Sequence, residues 1–145
     1  MQIKKISKND LDQLVNISLE QFKNESWSNE QYTEAYNDNN YVFLGCFDNE
    51  KLLSFLVANE STDDVNILML ATSENNKNNG YAKSLIEYLQ SYVKKQSKTL
   101  SLEVKENNLS AINLYTKLEF KVVYVRKHYY KDGQNAIIMF YNQNL

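Results

Sequence analysis

The chain has 145 residues, a length that suits one domain over 1–145 with a substantial core. Its formal net charge of −2 argues against direct nucleic-acid binding, and the lack of an apolar leader or an 18-residue apolar run predicts a cytoplasmic protein without a membrane segment. Its one cysteine, Cys46, excludes an internal disulfide and is expected in the core, and with the single His128 it leaves no Cys/His set for a metal.

The first part of the chain predicts a strand followed by two helices. Met1–Ile6 alternates weakly between apolar and polar residues, and the helix after it repeats apolar residues along one face. Ser28 and Gln31 have the spacing of a capping box, which predicts a second helix over about Asn29–Tyr36.

Three apolar segments follow and predict strands. Tyr41–Phe47 and Leu52–Ala58 are joined across Asp48–Lys51, which predicts a tight hairpin despite the missing glycine. A polar loop then leads to Val65–Ala71. We therefore expect four antiparallel strands before the next helix.

The polar run Asn75–Ala82 separates the Val65–Ala71 strand from a helix with one apolar face. The apolar positions of this helix are Ala82, Leu85, Ile86, Leu89 and Val93. Free N–H groups and the dipole at a helix N-terminus attract anions, and Gly80 allows a ligand to approach the backbone closely. The loop is a candidate phosphate site, although any connection between a strand and a helix can be a polar loop with one glycine.

The remaining segments predict a strand, a short helix and two more strands. Thr99–Val104 is the first strand, and the helix begins near Leu109 or Ser110. The last two strands are Phe120–Tyr130 and Asn135–Tyr141, and the Asp-Gly pair between them predicts a hairpin turn.

Two stretches of the second half resemble the GNAT (Gcn5-related) acetyltransferases. The run Lys77-x-x-Gly80-x-Ala82 resembles their acetyl-CoA loop, Q/R-x-x-G-x-G/A. The stretch from Leu102 to Phe120 is similar to L-E-V-R-x-x-N-x-x-A-I-x-L-Y-x-x-L-G-F, a run of the RimI-like group that acetylates ribosomal protein N-termini.

A later run, R-x-x-Y-Y…D-G…A-I-x-M, is matched from Arg126 to Met139, and an early P-W-S is echoed by Trp27-Ser28. The resemblance covers nearly the whole chain. Two positions depart from it: Glu119 replaces a glycine that is expected at positive φ, and Asn135 replaces an aspartate.

The resemblance implies an α/β (α+β) fold with a mixed central sheet of about seven strands, splayed in the middle, and four flanking helices. It implies acetyl-CoA as co-substrate and no metal, with the pantetheine arm between the splayed strands and the pyrophosphate on the glycine loop. The implied cofactor contacts are Leu70, Ala71, Thr72, Lys77, Asn78, Asn79, Gly80, Tyr81, Ala82, Asn108 and Tyr115.

The resemblance also implies catalytic roles for Glu103 as general base and Tyr115 as general acid. We expect the apolar neighbours of Glu103 to shield it from water. The alternative interpretation is that Glu103 is an ordinary exposed glutamate. The alternative for Tyr115 is a core residue. Asn108 can bond the cofactor arm, cap the following helix, or do both.

The implied acceptor is the α-amine of a protein N-terminus, such as the alanine of a ribosomal protein. Trp27, Tyr129 and Tyr130 are the candidate substrate residues, although Trp27 can equally be a hydrophobic anchor for its loop. Two alternatives stay open. The acceptor can be a small amine such as a polyamine or an aminoglycoside, or the chain can be a non-catalytic acyl-CoA-binding module.

Overall fold

The computed structural model describes residues 1–141, and within them the chain forms seven strands and four α-helices. The strands are β1 (Gln2–Lys5), β2 (Tyr41–Asp48), β3 (Lys51–Glu60), β4 (Asp64–Thr72), β5 (Thr99–Lys105), β6 (Phe120–Arg126) and β7 (Ala136–Tyr141). The helices are α1 (Leu11–Phe22), α2 (Asn29–Tyr36), α3 (Tyr81–Gln96) and α4 (Leu109–Lys117). None of these helices is long and apolar enough to cross a membrane.

All seven strands form one mixed sheet in the order β1-β2-β3-β4-β5-β7-β6. The first four strands are antiparallel neighbours, β5 is parallel to β4, and β7 is antiparallel to both β5 and β6. The predicted fold class and the antiparallel order of the first four strands are therefore confirmed.

The core lies on both faces of the sheet, with β3 at its centre. Every residue of Leu52–Ala58 is buried, and all but Ser54 are apolar, so this strand is buried on both faces and does not alternate. Leu56 and Ala58 pack in the cluster beneath α3, whereas Phe55 and Val57 pack in the cluster beneath α1 and α2. Cys46 is completely buried on the α3 side, as expected of a core residue.

The sheet opens between β4 and β5. The two strands pair from Asp64 and Thr99 as far as Ile67 and Leu102, and their remaining residues have no partner across this gap. In the ladder between β3 and β4, Val57 pairs with Met69 and Ala58 with Ile67, so Leu68 is the extra residue of a β-bulge. The predicted splay lies directly after this bulge.

The structure explains one predicted turn and corrects the length of one predicted strand. The turn at Asp48–Lys51 is tight because Asn49, with φ of 54°, adopts the left-handed conformation that glycine usually supplies. The predicted strand Phe120–Tyr130 is too long, since β6 ends at Arg126 and residues 127–135 form a connection. Gly133 still makes a turn there, with φ of 84° and its N–H bonded to the Tyr130 carbonyl at 2.9 Å.

The outer strand β6 is unusually exposed. After buried Phe120, every residue of Lys121–Arg126 is exposed, including Val123 at 62% and Tyr124 at 57%. β6 pairs only with β7, and the register shifts between Val122 and Tyr124. It is therefore an edge strand with an apolar surface and a bulge.

Candidate active site

Two cavities meet where β4 and β5 diverge. The larger, which we call the channel cavity, has a volume of about 910 Å³ and lies along the splayed strands. The smaller, which we call the loop cavity, has a volume of about 560 Å³ and lies against the N-terminus of α3. Their shared lining residues are Phe22, Leu70, Asn108 and Tyr115. The two cavities therefore adjoin, and a ligand in one can reach the other.

The predicted cofactor residues line the loop cavity with one exception. Those that line it are Leu70, Ala71, Thr72, Lys77, Asn78, Gly80, Tyr81, Ala82, Asn108 and Tyr115. Asn79 does not, because its side-chain amide donates to the carbonyls of Asn76, at 3.1 Å, and Lys77, at 3.2 Å. It stabilises the shape of the loop from within.

The backbone of this loop is built for close approach by a ligand. Asn78 and Gly80 are both left-handed, with φ of 65° and 79°, and α3 begins at the next residue, Tyr81. A Cβ on Gly80 would meet no atom within 4 Å, so packing does not require glycine here. The residue supplies positive φ and keeps the space before the helix open for an anion.

Lys77 is the cation of the loop. Its Nζ lies 3.4 Å from an oxygen of Glu74, and both side chains are largely exposed. Such an exposed pair is weak and screened by salt, so Lys77 can turn to a bound phosphate at little cost.

Tyr115 lies at the boundary of the two cavities. α4 places its ring against the core, 5.9 Å from the ring of Phe120. Burial raises the pKa of Tyr115 to about 12, and within residues 1–141 its hydroxyl has no hydrogen-bond partner. At neutral pH this is a protonated phenol, available as a donor to a ligand that spans the two cavities.

Glu103 lines the channel cavity on β5, directly after the last residue paired with β4. The expectation that its apolar neighbours shield it is wrong. Leu102 and Val104 are buried on one face of the strand, and Glu103 is exposed on the other because side chains alternate along a strand. Its carboxylate is accessible to water and to a substrate in the channel.

Asn108 caps α4. Its side-chain oxygen accepts a hydrogen bond of 3.3 Å from the Ala111 N–H, which is the predicted capping role. The residue also lines both cavities, so its side-chain NH2 group stays close to the space for the cofactor arm.

Trp27 forms one wall of the channel cavity and is held there by a buried chain of hydroxyl groups. The Trp27 carbonyl accepts from the Ser26 hydroxyl at 2.8 Å, so Ser26 must in turn accept from Ser18 at 2.7 Å. Ser18 then accepts from the Tyr32 hydroxyl at 2.7 Å. The sequence placed Ser18 on the apolar face of α1 without indicating this role.

A second wall of the channel cavity carries Tyr129 and Tyr130, whose rings lie edge to face at 5.3 Å. Arg126 lies 5.3 Å from the centre of the Tyr129 ring, and the Lys105 Nζ lies 5.0 Å from that of Tyr130. Burial and the negative charge of Glu103 raise the pKa of Tyr130 to about 12. The two tyrosines are therefore fixed between two cations.

Sequence analysis missed several residues of the channel lining. Lys105 and Arg126 belong to the matched runs but were assigned no role, and Glu25 and Leu68 gave no signal. The available clue was Arg126, a cation three residues before the adjacent Tyr129 and Tyr130. Among residues 1–141, no three His, Cys, Asp or Glu side chains are grouped as a metal site.

The comparisons with known proteins agree with this geometry. The profile of the Acetyltransferase (GNAT) family matches residues 11–120. The chain is similar to two [ribosomal protein bS18]-alanine N-acetyltransferases. That of Escherichia coli K12 is 29% identical over 117 residues, 78% of each chain, and that of Haemophilus ducreyi is 31% identical over 104 residues, 68% of this chain and 72% of the other.

A crystal structure of the ribosomal-protein-S18-alanine N-acetyltransferase from Escherichia coli has the same fold. The TM-score is 0.88 at 26% identity, covering 99% of this chain and 97% of that one. The splayed sheet and the loop before α3 thus define an acetyltransferase architecture. The chain belongs to the GNAT acetyltransferase family and is an acetyl-CoA-dependent N-acetyltransferase, related to the RimI-like enzymes.

Proposed function

We propose that this enzyme acetylates the α-amine of a protein N-terminus, in particular the N-terminal alanine of a ribosomal protein. The observation that carries the proposal is that Glu103 and Tyr115 line one cavity, between the aromatic walls formed by Trp27 and by Tyr129 and Tyr130. An extended peptide end fits between such walls, because tyrosine and tryptophan combine apolar area with a polar group for the peptide backbone. The names of the E. coli and H. ducreyi relatives favour the same acceptor.

Acetyl-CoA supplies the thioester when it is bound, and the residues of the loop cavity fit it. The N–H groups of the Lys77–Ala82 loop and the Lys77 ammonium would hold the pyrophosphate. The backbone of Leu70–Thr72 has no partner on the side of β5, where it would bond the pantetheine arm as a neighbouring strand does. A backbone N–H near Leu70 would stabilise the developing negative charge.

Two side chains would handle the protons. Glu103 would accept a proton from the ammonium form of the acceptor, directly or through a water molecule, which leaves a neutral amine to attack the acetyl carbonyl. Tyr115 would donate its phenolic proton to the sulfur as the C–S bond breaks. Its raised pKa keeps it protonated until that step.

An α-amine suits this machinery better than a lysine side chain. The pKa of an N-terminal amine is about 7.7–8.0 and that of lysine about 10.4, so the neutral nucleophile is roughly a few hundred times more abundant at the N-terminus at neutral pH. A single accessible carboxylate is an adequate base for such an amine.

A small polyamine or aminoglycoside is the less favoured acceptor. Polycations require a dense acidic pocket. The channel cavity does not provide one, because one of the carboxylates that line it, Glu25, is neutralised by Lys105 at 2.8 Å. Asp63 and Asp64 lie at the opposite end of β4, where Asp64 bonds the Thr99 hydroxyl. A non-catalytic acyl-CoA module is not supported either, since the chain keeps both Glu103 and Tyr115 in the cavity.

The acceptor is tested with one alanine-initiated peptide in two forms. One form has a free N-terminus and blocked lysines, and the other has a blocked N-terminus and free lysines. We expect acetylation of the first form, with kcat/KM rising with pH as the α-amine is deprotonated. Replacing the first alanine by a bulky residue is the matched control for fit. Preference for the lysine form would overturn the acceptor and leave the acetyltransferase assignment intact.

A further inference from the structure

One ammonium group connects the two walls of the channel cavity. The Lys105 Nζ lies 2.8 Å from the Glu25 Oε1 and 3.1 Å from the Asp132 Oδ2. Glu25 belongs to the short turn that ends α1, two residues before Trp27, and Asp132 lies in the 127–135 connection, two residues after Tyr130. Loops far apart in the chain thus meet at a single side chain.

Lys105 is the fixed member of this group. It is the last residue of β5, where it pairs with Ala136 of β7, and only 22% of its side chain is exposed. Its partners are less enclosed, with 69% of the Glu25 side chain and 46% of that of Asp132 exposed. The sheet therefore holds the cation, and the two loops come to it.

The carboxylate of Asp132 is oriented by its own segment as well as by the lysine. Its Oδ1 accepts from the Gln134 N–H at 3.0 Å, and its Oδ2 accepts from the Gln134 side-chain amide at 3.2 Å. These bonds and Lys105 hold the pKa of Asp132 below its ordinary value, and Glu25 holds that of Lys105 above its own. Asp132 and Lys105 are therefore both charged at neutral pH.

We propose that Lys105 is a positioning residue of the acceptor site: its ammonium holds the Trp27 wall and the Tyr130 wall at one separation, and so sets the fit of the acceptor's first residues. The ammonium also lies over the Tyr130 ring, so it fixes a ring that faces the acceptor as well as the loop behind it. This inference adds a specificity-determining residue to the proposed function, and it rests on that function for the identity of the acceptor.

The charge pattern explains why one residue can control the width of the cavity. Each exposed ion pair contributes little to the stability of the whole molecule. Without the ammonium, however, the carboxylates of Glu25 and Asp132, one from each wall, would lie near each other with no cation bound to both. Their repulsion would then favour a wider cavity with looser walls. The loss is one of positioning and not of chemistry.

The test compares Lys105→Met, which keeps an unbranched side chain one atom shorter and removes its charge, with Lys105→Arg, which keeps the charge. Lys121→Met is the matched control, because Lys121 is exposed on β6 and does not line the channel cavity. The acceptor in this test is the form of the peptide that the enzyme acetylates faster in the comparison above. The test of Lys105 therefore remains valid even if the α-amine is not the acceptor. Trp27, the single tryptophan of the chain, reports on its wall through acrylamide quenching of its fluorescence.

For Lys105→Met we expect the acceptor KM to rise about tenfold, with kcat and the Kd of acetyl-CoA nearly unchanged, because the lost interaction acts on acceptor binding. Quenching of Trp27 should increase in the same variant. Lys105→Arg should restore both values towards wild type, and Lys121→Met should change neither.

A double-mutant cycle with Glu25→Gln separates this role from a general loss of stability. If the two residues act through one contact, their effects on the acceptor KM will be clearly less than additive. An unchanged acceptor KM in Lys105→Met overturns the proposal whatever the fluorescence shows. A fall in kcat with unchanged quenching overturns it too, since Lys105 would then act on the chemistry.

Discussion

At the scale of single residues, Tyr115 is defined by where α4 places it. Its ring packs on Phe120, while its hydroxyl lies at the boundary of two cavities and has no partner within residues 1–141. The core and catalytic interpretations of this tyrosine are therefore compatible, because the ring can serve the first and the hydroxyl the second. Only a change confined to the hydroxyl distinguishes them.

Tyr115→Phe is that change. We expect kcat to fall by ~10²–10⁴-fold with little change in the Kd of acetyl-CoA, because a positioned acid acts only as the thiolate leaves. Single-turnover kinetics measures the chemical step directly. Tyr124→Phe is the control, since Tyr124 is exposed on β6, away from both cavities. A wild-type kcat in Tyr115→Phe would show that the residue is only part of the core.

The two residues that depart from the resembled pattern have physical explanations. Glu119 has φ of 70°, so the chain keeps the left-handed turn after α4 although a side chain is strained there. The Asn135 side-chain amide donates to Glu106 at 3.0 Å, and its carbonyl accepts from the His128 N–H at 2.9 Å. An aspartate at 135 could make the second bond but not the first.

Asn135→Asp should therefore destabilise the 127–135 connection at neutral pH, because the new carboxylate would lie against the carboxylate of Glu106 in place of the hydrogen bond between them. A like-charge contact of this kind should lower Tm by about 2–4 °C at pH 7. The loss should disappear in acid, once one carboxyl is protonated. Adding Glu106→Gln in the same chain should also restore Tm, and an equal loss at all pH values would contradict this account.

At the scale of elements, the loop before α3 and the gap beside β4 form one binding surface. Gly80 and Gly133 provide a matched pair for testing it. Both have positive φ, and a Cβ on either would meet no atom within 4 Å. Substitution should strain the backbone equally at both, but only Gly80 lines the loop cavity.

We expect Gly80→Ala to weaken acetyl-CoA binding by about tenfold or more, because the added methyl group occupies the space that a phosphate needs beside the helix N-terminus. Gly133→Ala should lower Tm by a similar amount and leave the Kd of acetyl-CoA unchanged. Calorimetric titration gives both affinities. Equal affinities in the two variants would place the pyrophosphate elsewhere.

The sequence predicts most elements because their signals are local. The apolar stripe of α3 and the capping box of α2 depend only on neighbouring residues, and both appear as expected. The end of β6 and the bulge at Leu68 depend on how distant strands pair, and the exposure of Glu103 depends on whether another element covers its face of the sheet. No local pattern carries that information, so the predictions for the end of β6 and for Glu103 were wrong, and nothing in the sequence indicated the bulge.

The channel lining shows the same limit. Trp27, Tyr129 and Tyr130 could be proposed from a family resemblance, since they occur within matched runs. The link from Lys105 to Glu25 spans 80 positions of the chain. Opposite charges so far apart have many possible partners, and only the folded backbone selects one.

At the scale of the whole molecule, the sheet separates two cores, and buried tyrosines lie on each side of it. Burial raises the pKa of Tyr32, which α2 packs into the core on the α1 side of the sheet, to about 12. Tyr115, on the α3 side, has the same value from the same cause. Both phenols are therefore kept neutral by folding, on opposite faces of one sheet.

The sign of the pH dependence follows. The folded pKa values exceed the unfolded value of about 10, so the contribution of the neutral phenols is complete below pH 10 and is lost as the pH rises through 12. We expect the free energy of unfolding, measured in urea, to fall steeply above pH 10. Tyr32→Phe should make that fall shallower, whereas Tyr124→Phe should not. A stability that is flat from pH 8 to 11.5 would contradict this assignment.

The exposed strand β6 has a consequence for the colloidal behaviour of the protein. An edge strand with Val122, Val123 and Val125 on its surface can template the addition of another chain. The bulge interrupts that template, and Lys121 and Arg126 place positive charge at its two ends, so that identical copies repel each other. Such protection is electrostatic, and salt removes it as the Debye length shrinks to ~3 Å at 1 M. The enzyme should therefore remain dispersed in dilute buffer and associate through this edge in concentrated salt.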